Sequence, residues 1–161
     1  MLQQLEMYIS AQKTIGNYSM ALGIFMVVLA VLFHFIDANP LFNGLKIGML
    51  VVGLITLGSG YSYRIAEEKI LQKQTALYQK DPAQFHQVEK ARMEKVVRNI
   101  PYYLIGFIAV IIALLMVIFF TKNSFVHDIL FFVILFALGS MIIEKVSKTS
   151  IETYYEQLLG S

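Results

Sequence analysis

Four stretches of the chain, residues 20–36, 47–63, 102–120 and 129–143, contain no lysine, arginine, aspartate or glutamate, and only His34 breaks the first. A hydrocarbon core about 30 Å thick is crossed by about 20 helical residues, with a usable range of about 17–25. The first three stretches reach that range. The fourth reaches it if its helix begins near Ser124 and carries Asp128 into the headgroup zone. The alternating pattern of a barrel strand is absent, and lipid tolerates no open strand edge, so the spans are helical. Composition agrees: 57% of residues are apolar and 15% charged, against roughly 45–50% and about 25% in a soluble domain. The uneven charge and net +2, with no cysteine, exclude a disordered chain, a basic nucleic-acid module and a disulfide-stapled domain. The fold class expected is all-α: a polytopic membrane protein with four transmembrane helices.

The links sort the spans into two hairpins. Asp37-Ala38-Asn39-Pro40 reads as a compact turn, Asn39 capping the next helix and Pro40 at its first position. Thr121-Lys122-Asn123-Ser124 is equally short, and short loops force antiparallel neighbours. Eleven of the thirteen Lys and Arg residues lie on the side of the termini and the long central link, and only Lys46 and Lys122 lie on the other. By the positive-inside rule both termini and the central link are cytoplasmic and the two tight turns outside. The first seventeen residues have no charged n-region followed by a cleavage site, so the first span is expected to be retained. Size and topology point to a bacterial-type inner (plasma) membrane.

Beyond the spans the pattern becomes amphipathic. Tyr63, Ala66, Ile70, Leu77 and Tyr78 recur at helical spacing, so the second span is expected to continue into the cytoplasm to residue 80. Asp81-Pro82 gives a cap and a restart, and Phe85, Val88, Arg92 and Val96 mark an amphipathic helix over 82–98, with Asn99-Ile100-Pro101 leading into the third span. Leu2, Leu5 and Ile9, and at the other end Ile151, Tyr154, Tyr155, Leu158 and Leu159, supply further apolar stripes. Such faces either extend the four-helix arrangement below the membrane or lie flat on lipid headgroups. The bundle is the stronger expectation.

The chain also resembles itself. A shift of 83 residues pairs Gln4, Leu5 and Glu6 with Gln87, Val88 and Glu89, and Gly23 with Gly106. A shift of 81 pairs Leu57-Gly58-Ser59 with Leu138-Gly139-Ser140. The implied units are residues 1–80, with spans at 18–37 and 41–63, and residues 81–161, with spans at 101–121 and 124–144. Two spans per unit make them parallel repeats. Small residues let helix backbones approach closely, so Gly48, Gly53, Gly58, Ser59, Gly106, Gly139 and Ser140 are expected packing positions. The glycine-rich second span would be the central helix. Gly44 and Gly48 match a GxxxG pattern, read as packing within the bundle in preference to a dimer contact.

Chemistry is sparse. Ionisable groups at membrane depth usually mark function, and the spans offer little beyond Thr56, Ser59, Ser62 and Ser140, with Glu144 at a boundary. His34, Asp37, His127 and Asp128 are weak candidates for a divalent-metal or proton-sensitive site at the outer turns; capping and headgroup water explain them more simply. The basic residues between Arg64 and Arg98 fit the topology signal and solvated faces, or attraction of anionic lipid. His86 reads as a surface residue. No phosphate-cradling loop, HExxH motif or supported nucleophile is present, so no cofactor, catalytic residue or nucleic-acid partner is expected. The readings that remain are a non-enzymatic membrane protein acting through protein contacts (an accessory or assembly subunit, a sensor or an immunity-type factor), a small oligomeric channel or carrier with a Gly/Ser-lined path at the second span, and, least, a lipid-acting enzyme.

Overall fold

The structure, a computed structural model, describes residues 1–36 and 43–160 and consists there of four helices: α1 (Leu2–Ile36), α2 (Asn43–Lys80), α3 (Pro82–Phe120) and α4 (Ser124–Leu159). All four are long and apolar enough to cross a membrane, the mark of an integral membrane protein. At 1.5 Å per residue each is about 52–58 Å long. A bilayer core takes up only about 30 Å of that, which leaves roughly fifteen charged-half residues per helix beyond it. The expected turn at Asp37-Ala38-Asn39-Pro40 lies outside the described residues, as does Ser161.

Local chemistry sets the helix ends. Asp81 is the N-cap of α3 in extended backbone, its Oδ1 accepting from the Gln84 amide at 3.0 Å, with Pro82 at the first helical position. Asn123 caps α4 in the same way, accepting from the Phe125 amide at 3.0 Å. The Thr121 amide closes α3 on the Val117 carbonyl. At two places an amphipathic stretch and a long apolar run belong to one continuous helix. The N-terminal amphipathic stretch is not a separate helix but the first turns of α1. Residues 82–98 and the third span are likewise one helix, which runs through Pro101. Proline removes one intrahelical hydrogen bond at a cost of about 3 kcal/mol. Here it is exposed, while Ile100 beside it is 2% exposed and Val96, Val97 and Leu104 pack against the same core. That packing offsets the lost bond, and the helix continues through the proline.

The hydrophobic core sits in the charged half. Leu5, Tyr8 and Ile9 of α1 meet Phe85, Met93 and Ile100 of α3 and Ile151, Tyr154 and Leu158 of α4, and α2 packs Ile70, Leu71, Leu77 and Tyr78 against them. Tyr8 and Tyr154 stack with ring centroids 4.7 Å apart, and Phe85 meets Tyr78 edge-on at 5.2 Å. The His86 ring donates from Nε2 to the Leu158 carbonyl at 2.9 Å, fastening the start of α3 to the end of α4. The terminal helices therefore extend the bundle and do not lie apart from it.

The apolar half is looser. Of the residues in the most apolar stretch of α2, 44% are buried, against 11% in α1, 6% in α4 and none in α3. The second span is thus the central one, as its glycines suggest, and α1 is its closest neighbour. A methyl group on Gly23 would lie 2.6 Å from the Leu57 nitrogen and 2.7 Å from the Gly53 carbonyl oxygen. One on Gly60 would lie 2.7 Å from the Gly16 carbonyl oxygen. These two crossings, Gly16 with Gly60 and Gly23 with Gly53, are where the backbones come close.

Candidate functional site

Between α1, α2 and α4 the apolar half leaves a cleft of about 670 Å³, within the roughly 300–1,000 Å³ of small-molecule sites. Leu22, Phe25, Met26 and Leu29 of α1 face Phe132, Leu135 and Phe136 of α4, with Met49 of α2 and Phe107 of α3 completing the apolar wall. Toward the charged half the wall becomes polar: Thr56, Ser59 and Tyr63 of α2, and Ser140, Glu144 and Ser147 of α4. Three of the hydroxyls bond carbonyls of their own helix, Thr56 to Val52 at 2.7 Å, Ser59 to Thr56 at 3.0 Å and Ser140 to Phe136 at 2.9 Å.

A buried polar layer closes the cleft at that end. Gln12, fully enclosed, accepts on Oε1 from the Tyr63 hydroxyl (2.7 Å) and the Ser147 hydroxyl (2.9 Å), and donates from Nε2 to Ser150 (2.8 Å). One side chain thereby ties three helices together. Further from the cleft, Glu89 is also fully enclosed. It accepts from Arg92 Nε at 2.8 Å and Nη2 at 2.6 Å, and from the Tyr154 hydroxyl at 3.1 Å. The Arg92 guanidinium lies 5.7 Å from the Tyr8 ring centroid, within cation–π range. Burial alone would lower Arg92, but the hydrogen bonds and charge of Glu89 outweigh it and hold the guanidinium charged. Burial pushes the Tyr8 phenol up to about 12 and raises Tyr154, with the Glu89 charge adding to the rise.

Glu67 is the unbalanced member. It is 6% exposed, and its Oε2 has no hydrogen-bond partner among the described residues; nor does Gln74 Oε1, two turns on. Burial lifts the Glu67 carboxyl above the usual carboxylate range, against the opposing pull of the Arg92 charge. Lys13 and Glu68 form an ion pair at the rim.

Sequence reading placed Arg92 on the apolar stripe of residues 82–98, read the basic residues from Arg64 to Arg98 as topology signal and solvated faces, and did not single out Gln12 or Glu67. Gln12, Glu67, Glu89 and Arg92 were legible only as members of the apolar stripes: Leu5, Ile9 and Gln12 share a face, as do Phe85, Glu89 and Met93. A polar residue at a stripe position is the signal that finds a buried network.

The expected packing residues divide. Gly48 lies against Ile129 and Phe132 of α4, and Gly53 against Gly23, Met26 and Val27 of α1. Gly44 meets the Phe125 carbonyl and Asp128, so the GxxxG pair is used inside the chain. At Gly58, Gly106 and Gly139 an added methyl would meet nothing within 4 Å, so the Gly58-Ser59 and Gly139-Ser140 pairs are not a backbone contact. Ser59, Gly139 and Ser140 instead line the cleft. Sequence reading counted Gly60 among the glycines of the central second span and did not single out Gly16, its contact on α1.

The outer candidates do not assemble. His34 is exposed, its ring edge-on to Phe35, and shares a small cavity of about 290 Å³ with Lys46, whose ammonium works against a bound cation. The His127 ring donates from Nε2 to the Thr121 carbonyl at 2.6 Å. Asp128 packs against Gly44, and Asp37 lies outside the described residues. Among the described residues no three His, Asp or Glu side chains converge as a metal would require.

The chain matches no protein-family model, no curated protein and no solved structure.

Proposed function

We propose that the protein is a non-enzymatic integral membrane component that works through contacts, as an accessory or assembly subunit, a sensor or an immunity-type factor. It would sit in a bacterial-type inner membrane with both termini and the charged halves of its helices in the cytoplasm. The observation that carries this reading is where the polar groups are. The span hydroxyls of Thr56, Ser59 and Ser140 bond their own helices, and the strong polar network lies in the charged half, where it joins helices. Such a molecule is built to present surfaces. Affinity capture of the tagged protein in mild detergent tests it: a specific membrane partner is expected in stoichiometric yield, and recovery of the chain alone in repeated captures would count against it.

The tandem-repeat reading gains support from the helix bounds. A shift of 83 carries residues 2–36 onto 85–119, nearly the extent of α3, and a shift of 81 carries the start of α2 onto the start of α4. A small oligomeric channel or carrier is the second reading, favoured by the cleft with Thr56, Ser59 and Ser140 on its wall. Ion or solute flux into liposomes holding only this protein would establish it, and tight vesicles would dismiss it.

A further inference from the structure

Among the described residues, Glu144 is the only carboxylate on the wall of the cleft between α1, α2 and α4, and the wall carries no lysine, arginine or histidine. Glu144 is half-buried, forms no ion pair or hydrogen bond among the described residues, and has no basic side chain near enough to act on its charge. It shares a face of α4 with Ser140 and Ser147, about a turn away on either side, and stands close enough to the Tyr63 phenol to act on it electrostatically. The hydroxyls around it have committed their protons. Thr56, Ser59 and Ser140 donate to carbonyls of their own helices, and Tyr63 and Ser147 donate to Gln12 Oε1. Ser150 fixes which way the Gln12 amide points. It donates to the Ser147 carbonyl at 2.9 Å and therefore meets Gln12 Nε2 with a lone pair, which leaves Oε1 facing Tyr63 and Ser147. A hydroxyl carries a single proton, so each of these wall oxygens retains only the capacity to accept. Ser19 is the one hydroxyl on the wall that forms no hydrogen bond among the described residues. The polar end of the cleft is thus a set of acceptors around an unpaired carboxylate, and a carboxylate in apolar surroundings is costly until it is paired. The other end is apolar, with Leu22, Phe25, Leu135 and Phe136 on its wall, and the α1 lining runs from Ile15 to Leu29, about 21 Å of helix. Gly139 has nothing within 4 Å of where a side chain would begin, so no neighbour blocks the stretch of α4 between the two ends.

We propose that the cleft binds a lipophilic primary amine as its ammonium ion, the N–H groups donating to Glu144 and the hydroxyl oxygens beside it, and the hydrocarbon body lying along Phe25, Leu135 and Phe136. An ammonium group is all donor with no acceptor, the complement of this wall. A carboxylate or phosphate head would set lone pairs against lone pairs and its charge against Glu144. That disfavours both a fatty acid and a phospholipid whose amine is tethered to a phosphate. A quaternary ammonium brings the charge without a donor, and an alcohol a donor without the charge. The inference goes beyond the contact and carrier readings, since binding needs neither a partner protein nor transport.

The test uses the full-length protein in phosphatidylcholine nanodiscs, whose lipid carries no net charge, and a decylamine probe with a photoactivatable group on its chain. Labelled residues are mapped by mass spectrometry. Label is expected on the cleft faces of α1 and α4, and unlabelled decylamine should compete at least tenfold better than decyltrimethylammonium, decanol, decanoate or phosphatidylethanolamine. Glu144→Gln should cut labelling about tenfold. A ligand that binds only the folded state raises the thermal midpoint. Decylamine should therefore raise the midpoint of the unsubstituted protein and not that of Glu144→Gln, whose own melt without amine shows that it has folded. Gly139→Leu should cut labelling about tenfold by filling the cleft, while Gly106→Leu, at an equally uncovered glycine that does not line it, should leave labelling unchanged. Equal competition by decanol would show that only the apolar body is recognised, and equal competition by decyltrimethylammonium that charge alone suffices. Equal competition by phosphatidylethanolamine would make a bilayer lipid the occupant. Each of these results would overturn the proposal, as would undiminished labelling of Glu144→Gln.

Discussion

Glu89 has no exposed surface and holds Arg92 by two hydrogen bonds, with Tyr154 as a third partner. Removing one member of such a pair leaves a buried charge uncompensated, at about 3–5 kcal/mol. Glu89→Ala is therefore expected to lower the thermal midpoint of the detergent-solubilised protein sharply, and Glu89→Gln, which keeps two polar atoms in place, to lower it less. Glu67 behaves differently because its carboxyl is raised by burial. A group whose folded pKa lies above its unfolded value contributes stability that is complete below the unfolded value, about 4.3 for Glu. That contribution is lost as pH rises through the folded value. The protein should lose stability as pH rises from the ordinary carboxylate range toward neutrality, and Glu67→Gln should flatten that slope in thermal melts at stepped pH. An unchanged slope would mean that Glu67 is solvated in the folded protein. These residues were the least readable in the sequence. Hydropathy treats Gln12, Glu67 and Glu89 as surface, and only the partners that tertiary contact supplies, on helices far apart in the chain, make their burial tolerable.

At the scale of helices, the existence of all four elements was readable because long charge-free runs admit no other backbone in lipid. The Asp81-Pro82 restart was readable because its cap chemistry is local. The continuity of α3 through Pro101 was not, since it depends on the burial of Ile100 in a core assembled from three other helices. Glycines show the same limit. Their number marks α2 as central, but which of them touch a neighbour depends on helix rotation, which composition does not fix. Gly23→Leu drives a side chain into the backbone of α2 at Leu57 and Gly53 and is expected to separate α1 from α2 and destabilise the protein. Gly58→Ala and Gly106→Ala meet open space and should be neutral or gain up to about 1 kcal/mol from the stiffer unfolded chain. Detergent-based thermal unfolding of the three variants distinguishes the two classes. In the charged half, Phe85→Ala empties a fully enclosed site and should cost about 3–5 kcal/mol.

Taken whole, the molecule has a tightly packed charged half, closed by the Gln12 and Glu89 networks, joined to an apolar half whose α3 touches little of the rest. Packing is thus concentrated in the charged half, and the apolar half keeps a lined cleft and uncovered helix faces. All of this depends on how the chain threads the membrane. The sequence contains no cysteine, so a single introduced thiol reports its own location without background. Lys122→Cys, between α3 and α4, and Gln79→Cys, at the far end of α2, can be probed on intact cells with a membrane-impermeant maleimide. The thiol at 122 should react at once and the thiol at 79 only after lysis; reaction at 79 in intact cells, or equal reaction at both, would contradict the four-span arrangement with its charged halves inside.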